Sequence, residues 1–96
     1  MILLPLGSWA QEIDQLRQKY KQAENYEAKL EGQRRLAIAF QKAHQADSSA
    51  AYLAGYRALA ESQKDTIALN RHHYLSANFA YHAGDVLRAV ELLNQA

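Results

Sequence analysis

The 96-residue sequence contains no cysteine, which excludes a disulfide framework and any thiolate metal site. Proline occurs once, at position 5, and glycine only at 7, 32, 55 and 84, so from Gln11 onward nothing forces a strand-and-turn architecture and long helices are permitted throughout. No basic run is longer than the pair Arg34 and Arg35, and 11 Lys and Arg stand against 10 Asp and Glu for a formal net charge of +1. A nucleic-acid partner is therefore not expected, because binding a phosphate backbone takes a clustered basic face. Apolar runs are short as well. The N-terminal MILLPLGSW, broken by Pro5 and Gly7, is far below the roughly 20 residues that cross a bilayer, so no membrane span is expected. What remains is an ordinary globular composition, 49% hydrophobic and 22% charged, in a chain long enough for one small core or a short array of stacked units.

The leader offers two readings. Ser8-Trp9-Ala10 has small residues at the positions three before and one before a cut between Ala10 and Gln11, the small-x-small pattern of a signal-peptide cleavage site, although no basic segment precedes it. The other reading is an apolar segment that packs onto the first helix. Residues 1–10 are thus a signal-peptide remnant or leader ahead of a helical domain over 11–96. The protein is periplasmic or secreted if the leader is a signal peptide, and cytoplasmic otherwise.

Apolar spacing predicts five helices. Trp9, Ile13, Leu16, Tyr20 and Ala23 step by four and three, one stripe of a helix over 9–24. A second helix, about 26–46, carries Leu30, Leu36, Ala37, Phe40 and Ala43, and Asp47-Ser48-Ser49 supplies N-cap chemistry for a third with the stripe Tyr52, Tyr56 and Leu59. Asp65 or Thr66 caps a fourth, about 66–83, expected to bury Ile67, Tyr74, Ala77 and Tyr81 and to end at Gly84 in the left-handed conformation. Asp85 caps a fifth, with Val86, Ala89, Val90 and Leu93 facing inward. Loops this short make successive helices antiparallel neighbours.

The shift that carries Ala39 onto Ala77 also carries His44 onto His82, Ala46 onto Gly84, Asp47 onto Asp85, Ala51 onto Ala89 and Ala58 onto Ala96, with Gly55 against Leu93 as the main mismatch. Small residues recur where helices approach closely, and the aspartate recurs at the cap. The stretch Ser76-Ala77-Asn78-Phe79-Ala80-Tyr81-His82-Ala83-Gly84-Asp85, followed by Ala89, Leu93 and Ala96, resembles a tetratricopeptide repeat (TPR), with Ala77, Gly84-Asp85, Ala89 and Ala96 as the matching signature. The resemblance implies an all-α, right-handed stack of antiparallel helix pairs, a TPR-like α-solenoid of about five helices. It divides the chain into helix one, a degenerate repeat over 32–69 and a better one over 70–96. The degenerate repeat is longer than is usual for the family and lacks its glycine at the turn. With its leader and slightly long repeats, the chain also resembles, more distantly, the N-terminal sensor segment of bacterial TPR-containing histidine kinases and regulators.

Catalytic and metal chemistry finds no support in the spacing. His44, His72, His73 and His82 form no His-x-x-x-His or His-Glu-x-x-His pattern, so neither a metal nor another cofactor is expected. Glu24, Glu27 and Glu31 lie among Lys21, Lys29, Arg34 and Arg35 as a solvated helix face, with Glu31 and Arg35 at ion-pair spacing. Ser48, Ser49 and Ser76 lack a nucleophile context, so the chain reads as a non-enzyme.

The TPR resemblance implies that the inner helix of a repeat lines a peptide-binding groove. In the fourth helix this face would present Arg71, Tyr74, Asn78, Tyr81 and His82, with Gln33 and His44 in the corresponding place on the second. Arg71 and Asn78 would bind a backbone or carboxylate and the tyrosines would be flat contacts. Tyr74 and Tyr81 equally belong to the stripe read as core, and both readings stand at this point. The expected function is a scaffold or adaptor for a protein or peptide, and the alternative is a structural oligomerisation bundle without a ligand groove. In either case the last stacked unit has no capping helix, so Val86, Leu87, Val90 and Leu92 would leave apolar surface open for a self-partner or for missing sequence.

Overall fold

The computed structural model describes residues 4–95, with side chains described for 9–94. Five helices run in order: α1 (Leu4–Lys21), α2 (Tyr26–Lys42), α3 (Ala46–Ser62), α4 (Thr66–His82) and α5 (Val86–Gln95). There is no strand among the described residues, and the chain is all-α. Pro5 falls in the first turn of α1, where its missing N–H costs no intrahelical bond. Of the leader, residues 1–3 lie outside the described residues. The rest is continuous with α1, so the Ala10–Gln11 bond is inside a helix. Ala96, used in the repeat comparison, also lies outside the described residues.

The chain reverses by one device used three times. After α2, His44 adopts φ +60°; its N–H donates to the Gln41 carbonyl at 3.1 Å, and the Gln45 N–H reaches back to the Phe40 carbonyl at 2.9 Å. The same pair of bonds closes α3 through Lys64 (φ +53°) and α4 through Gly84 (φ +85°). This is the Schellman arrangement, in which a left-handed residue turns the chain so that the last carbonyls of the helix are satisfied. The residue after each left-handed one immediately opens the next helix. Asp65 Oδ1 accepts from the Ala68 N–H at 3.0 Å and Asp85 Oδ1 from the Arg88 N–H at 3.0 Å, while Asn25 does the same for α2 at 2.8 Å.

Because helices start at 26, 46, 66 and 86, the hairpin that begins at Tyr26 recurs at Thr66, and Ala46 is the counterpart of Val86. This spacing is longer than the expected shift that carries Ala39 onto Ala77. His44 is therefore equivalent to Gly84 and not to His82. The observed recurrence puts Ala37 on Ala77 and Ser49 on Ala89, four buried positions. It also corrects the start of α3: because the turn closes at His44, the helix restarts at Ala46, and Asp47, Ser48 and Ser49 lie within its first turns. Ser49 is buried and its hydroxyl donates to the Ala37 carbonyl at 2.7 Å, a link between helices instead of a cap.

The chain divides into two compact units at Tyr56–Arg57, within α3. In the first, α1 packs on α2 around Ile13, Leu36, Ala39 and Phe40, with Leu16, Tyr20, Ala43 and Tyr52 against them. Tyr52 stacks on Phe40 at 5.6 Å and meets the edge of Tyr20 at 6.3 Å. Two glycines let the helices close in. A Cβ on Gly32 would lie 2.5 Å from the Tyr20 ring, and one on Gly55 would lie 2.6 Å from the Gln33 side-chain oxygen. The Gln33 amide in turn donates to the Tyr20 hydroxyl at 2.8 Å, so a residue placed by sequence on a groove face braces α1, α2 and α3. In the second unit α4 packs on α5, and the buried residues are Ala60, Ala68, Ala77, Ala89 and Leu92. Four of these five are alanines, while the larger Ile67, Tyr74, Tyr81 and Leu87 stay exposed.

Candidate functional site

Asp65 and Gly84 fix the two ends of α4, and the helix between them carries Arg71, His72, His73 and His82 but no carboxylate. At about 100° per residue, Ile67, Arg71, Tyr74, Asn78, Tyr81 and His82 fall within an arc of about 100° and along about 22 Å of helix. Every one of them is exposed. Ile67 is 72% exposed, Tyr74 58% and Tyr81 61%. The expected burial of these three is thereby corrected, and of the stripe read as core only Ala77 is buried, at 3%. The structure brings all five groove candidates onto one open face and adds Ile67, which the stripe reading turns inward. Its signal is present in the spacing, since 67, 71, 74, 78 and 81 also step by four and three.

The chemistry of this face is simple. Arg71 has no ion-pair partner among the described residues, so its fork of donors is open to a carboxylate or a backbone carbonyl. Tyr81 and His82 meet edge to face with ring centres 5.7 Å apart. On another side of α4, His72 is half-buried near the Arg57–Glu61 ion pair of α3. Burial, then the charges of Arg57 and His73, push its pKa below the ordinary histidine value against the pull of Glu61. Its ring lies 6.0 Å from that of His73.

On α5 the inward expectation holds for Ala89 but not for Val86, Val90 and Leu93, which are about half exposed. Leu87 is 80% exposed, while Leu92, expected on the open side, is buried at 9%. The charged pair Arg88–Glu91, at 3.4 Å, lies elsewhere on this short helix.

In the first unit Glu31 accepts two bonds from Arg34, at 2.8 and 2.9 Å, and one from Arg35 at 3.0 Å. The Glu31–Arg35 pair read from sequence is present, and the shorter forked pair with Arg34 accompanies it. Hydrogen bonding to Arg34 holds the Glu31 carboxyl at about 2, with Arg35 adding to it against a partial burial penalty. His44 stands exposed in the left-handed turn after α2. Among the described residues no three His, Cys, Asp or Glu gather as a metal site, and no helix is long and apolar enough to cross a membrane. No protein family, curated protein or solved structure matches the chain.

Proposed function

We propose that this chain is a protein-interaction module, an adaptor whose open α4 face docks a peptide or a segment of a neighbouring domain. The observation that supports it is the exposed line of Ile67, Tyr74 and Tyr81 interleaved with Arg71 and Asn78. Large aromatics and an unpaired arginine are the side chains that contribute most at interfaces. With a cation and no carboxylate on the face, the partner fits best as a segment that alternates apolar and acidic side chains. On this reading the hairpins belong to a TPR-like stack, and the chain serves as the sensor part of a signalling protein. No catalytic role is proposed. Selection of displayed peptides of about 15 residues on the immobilised chain tests the reading. Enriched peptides should carry Asp or Glu among apolar residues and lose at least about tenfold in affinity for Arg71→Glu and for Tyr74→Ala. Selection of nothing, or of peptides that bind both variants as they bind the wild type, refutes it.

A second reading, self-association, is supported by α5. Val86, Leu87, Val90 and Leu93 form a charge-free arc of on the order of 400 Å², about half of what each partner gives to a standard interface. Two copies paired through it would make a weak, concentration-dependent dimer. Arg71 argues against the α4 face as the seat of such a dimer, since a two-fold contact would bring this uncompensated cation towards its own mate. Sedimentation should show the dimer fraction rising with concentration for the wild type and staying at zero for Leu87→Glu. A wild type that remains monomeric at about 1 mM removes this reading and leaves the first intact.

The leader carries a third proposal, export with cleavage at Ala10–Gln11. Intact mass after fractionation of a bacterial host decides it, because a periplasmic species starting at Gln11 is required and an uncleaved cytoplasmic one rules it out.

A further inference from the structure

The seam between α1 and α2 holds a cleft of about 320 Å³ that is separate from the α4 face. Its walls are apolar: Leu16, Tyr20, Ala23, Ala28 and Gly32. Small residues create the space. Tyr20 lies directly over Gly32, where a Cβ would come within 2.5 Å of the ring, so the aromatic side chain reaches across the helix interface and forms one wall of the cleft. Ala23 and Ala28 leave the end near the α1–α2 turn without bulk. The volume is at the lower end of the roughly 300–1,000 Å³ range of small-molecule sites, which are likewise mostly apolar with a few polar groups on the margin.

The rim is cationic. Lys19 borders the cleft and has no ion-pair partner among the described residues. Arg35 and Glu31 border it too, and Glu31 is already neutralised by Arg34 and Arg35 together, so the Glu31–Arg34–Arg35 group retains one positive charge. Among the residues that line the cleft, Lys19 and Arg35 stand against Glu31 alone, a surplus of one positive charge, while Arg34 offsets Glu31 from outside the lining. An apolar body of small size would be held by the walls while an anionic head reached Lys19 and Arg35.

We propose that this cleft binds a small amphipathic organic anion, a carboxylate carrying an aliphatic or aromatic body of up to about ten heavy atoms. An open cleft and a ligand of that size give an affinity in the millimolar to upper micromolar range. The polar head stays in water at the rim, so its charge contributes a preference of several-fold and the apolar body the rest of the affinity.

Titration of the full ¹⁵N-labelled chain with octanoate, followed by amide shifts, tests the proposal, with 1-octanol as the uncharged control. Saturable shifts are expected at Leu16, Tyr20, Ala23, Ala28 and Gly32, with at least about fivefold weaker binding for 1-octanol and for Lys19→Glu. Ala28→Trp, at an exposed position, should fill the cleft and abolish the response while the rest of the spectrum stays in place. The proposal is overturned by an absence of saturable shifts up to about 10 mM, by equal binding of octanol, by equal binding to Lys19→Glu, or by shifts confined to α4 and α5. Because the cleft uses neither Arg71 nor Tyr74, its failure and the failure of peptide docking are read separately.

Discussion

Gly84→Ala isolates a single backbone contribution. A Cβ built on Gly84 meets nothing within 4 Å, so the substitution introduces no clash and removes no packing. Its whole effect comes from φ +85°. Holding an L-residue in the left-handed region costs about 1–2 kcal/mol, while replacing glycine lowers the entropy of the unfolded chain and returns about 0.4–1 kcal/mol. The difference is a destabilisation of about 0.5–1 kcal/mol, which for a chain of this length lowers Tm by about 2–8 °C. Lys64→Gly is the mirror experiment. Lys64 occupies the equivalent place after α3 at φ +53°, so relief of strain and the added unfolded entropy should leave a gain of about 0.5 kcal/mol. Thermal unfolding followed by far-ultraviolet circular dichroism reads both. The reasoning is refuted if Gly84→Ala melts within about 1 °C of the wild type while Lys64→Gly melts below it.

Other consequences are open to the same methods. Gly55→Ala should change stability by less than about 1 kcal/mol in chemical denaturation, because loss of the Gln33–Tyr20 bond as the new methyl displaces the flexible end of Gln33 is offset by the gain from replacing a glycine inside α3; a loss of about 2 kcal/mol or more would mean that Gln33 cannot relocate. Removing the Ser49 hydroxyl in Ser49→Ala should cost about 1 kcal/mol, and an unchanged denaturation midpoint would show that its bond to Ala37 contributes nothing net. Glu31 has a folded pKa lowered from 4.5 to about 2, so its stabilisation is complete above pH 4.5 and is lost as pH falls towards 2. Solvent screening limits this to about 1 kcal/mol at a half-exposed side chain, and Glu31→Gln should flatten that part of the stability profile. His72 works at higher pH: its folded pKa lies below 6.5, so stability is full above that value and falls as the unfolded histidine begins to take up protons. His72→Gln should remove this slope, and a slope unchanged by the substitution would place its origin elsewhere.

Much of the fold is legible residue by residue. Asp65 and Asp85 announce helix starts because a carboxylate can accept from the third N–H of a helix, and Gly84 announces a stop because only glycine takes a positive φ freely. The equivalent stops at His44 and Lys64 carry no such signal, since ordinary side chains are held there at positive φ by the bonds that close the turn. For that reason the apolar pattern extends the second helix too far and pairs Ala39 with Ala77, where the structure pairs Ala37 with Ala77. The groove candidates Arg71, Tyr74, Asn78, Tyr81 and His82 come from a resemblance, and the structure puts them on one exposed face.

The sequence by itself determined the class of structure and the starts of α2, α4 and α5, because capping and the helical periodicity of apolar side chains act within a few residues along the chain. Only the tertiary structure decided which side of α4 is covered. Apolar side chains occur around most of that helix, with Ile67, Tyr74 and Tyr81 on one side and Ala68, Leu75, Ala77 and Phe79 on others, so periodicity alone admits more than one buried face. The structure covers the side of α4 that carries Ala68 and Ala77 and leaves the isoleucine and the two tyrosines facing outward, a choice made by the packing of α4 against its neighbours and not by periodicity within the helix.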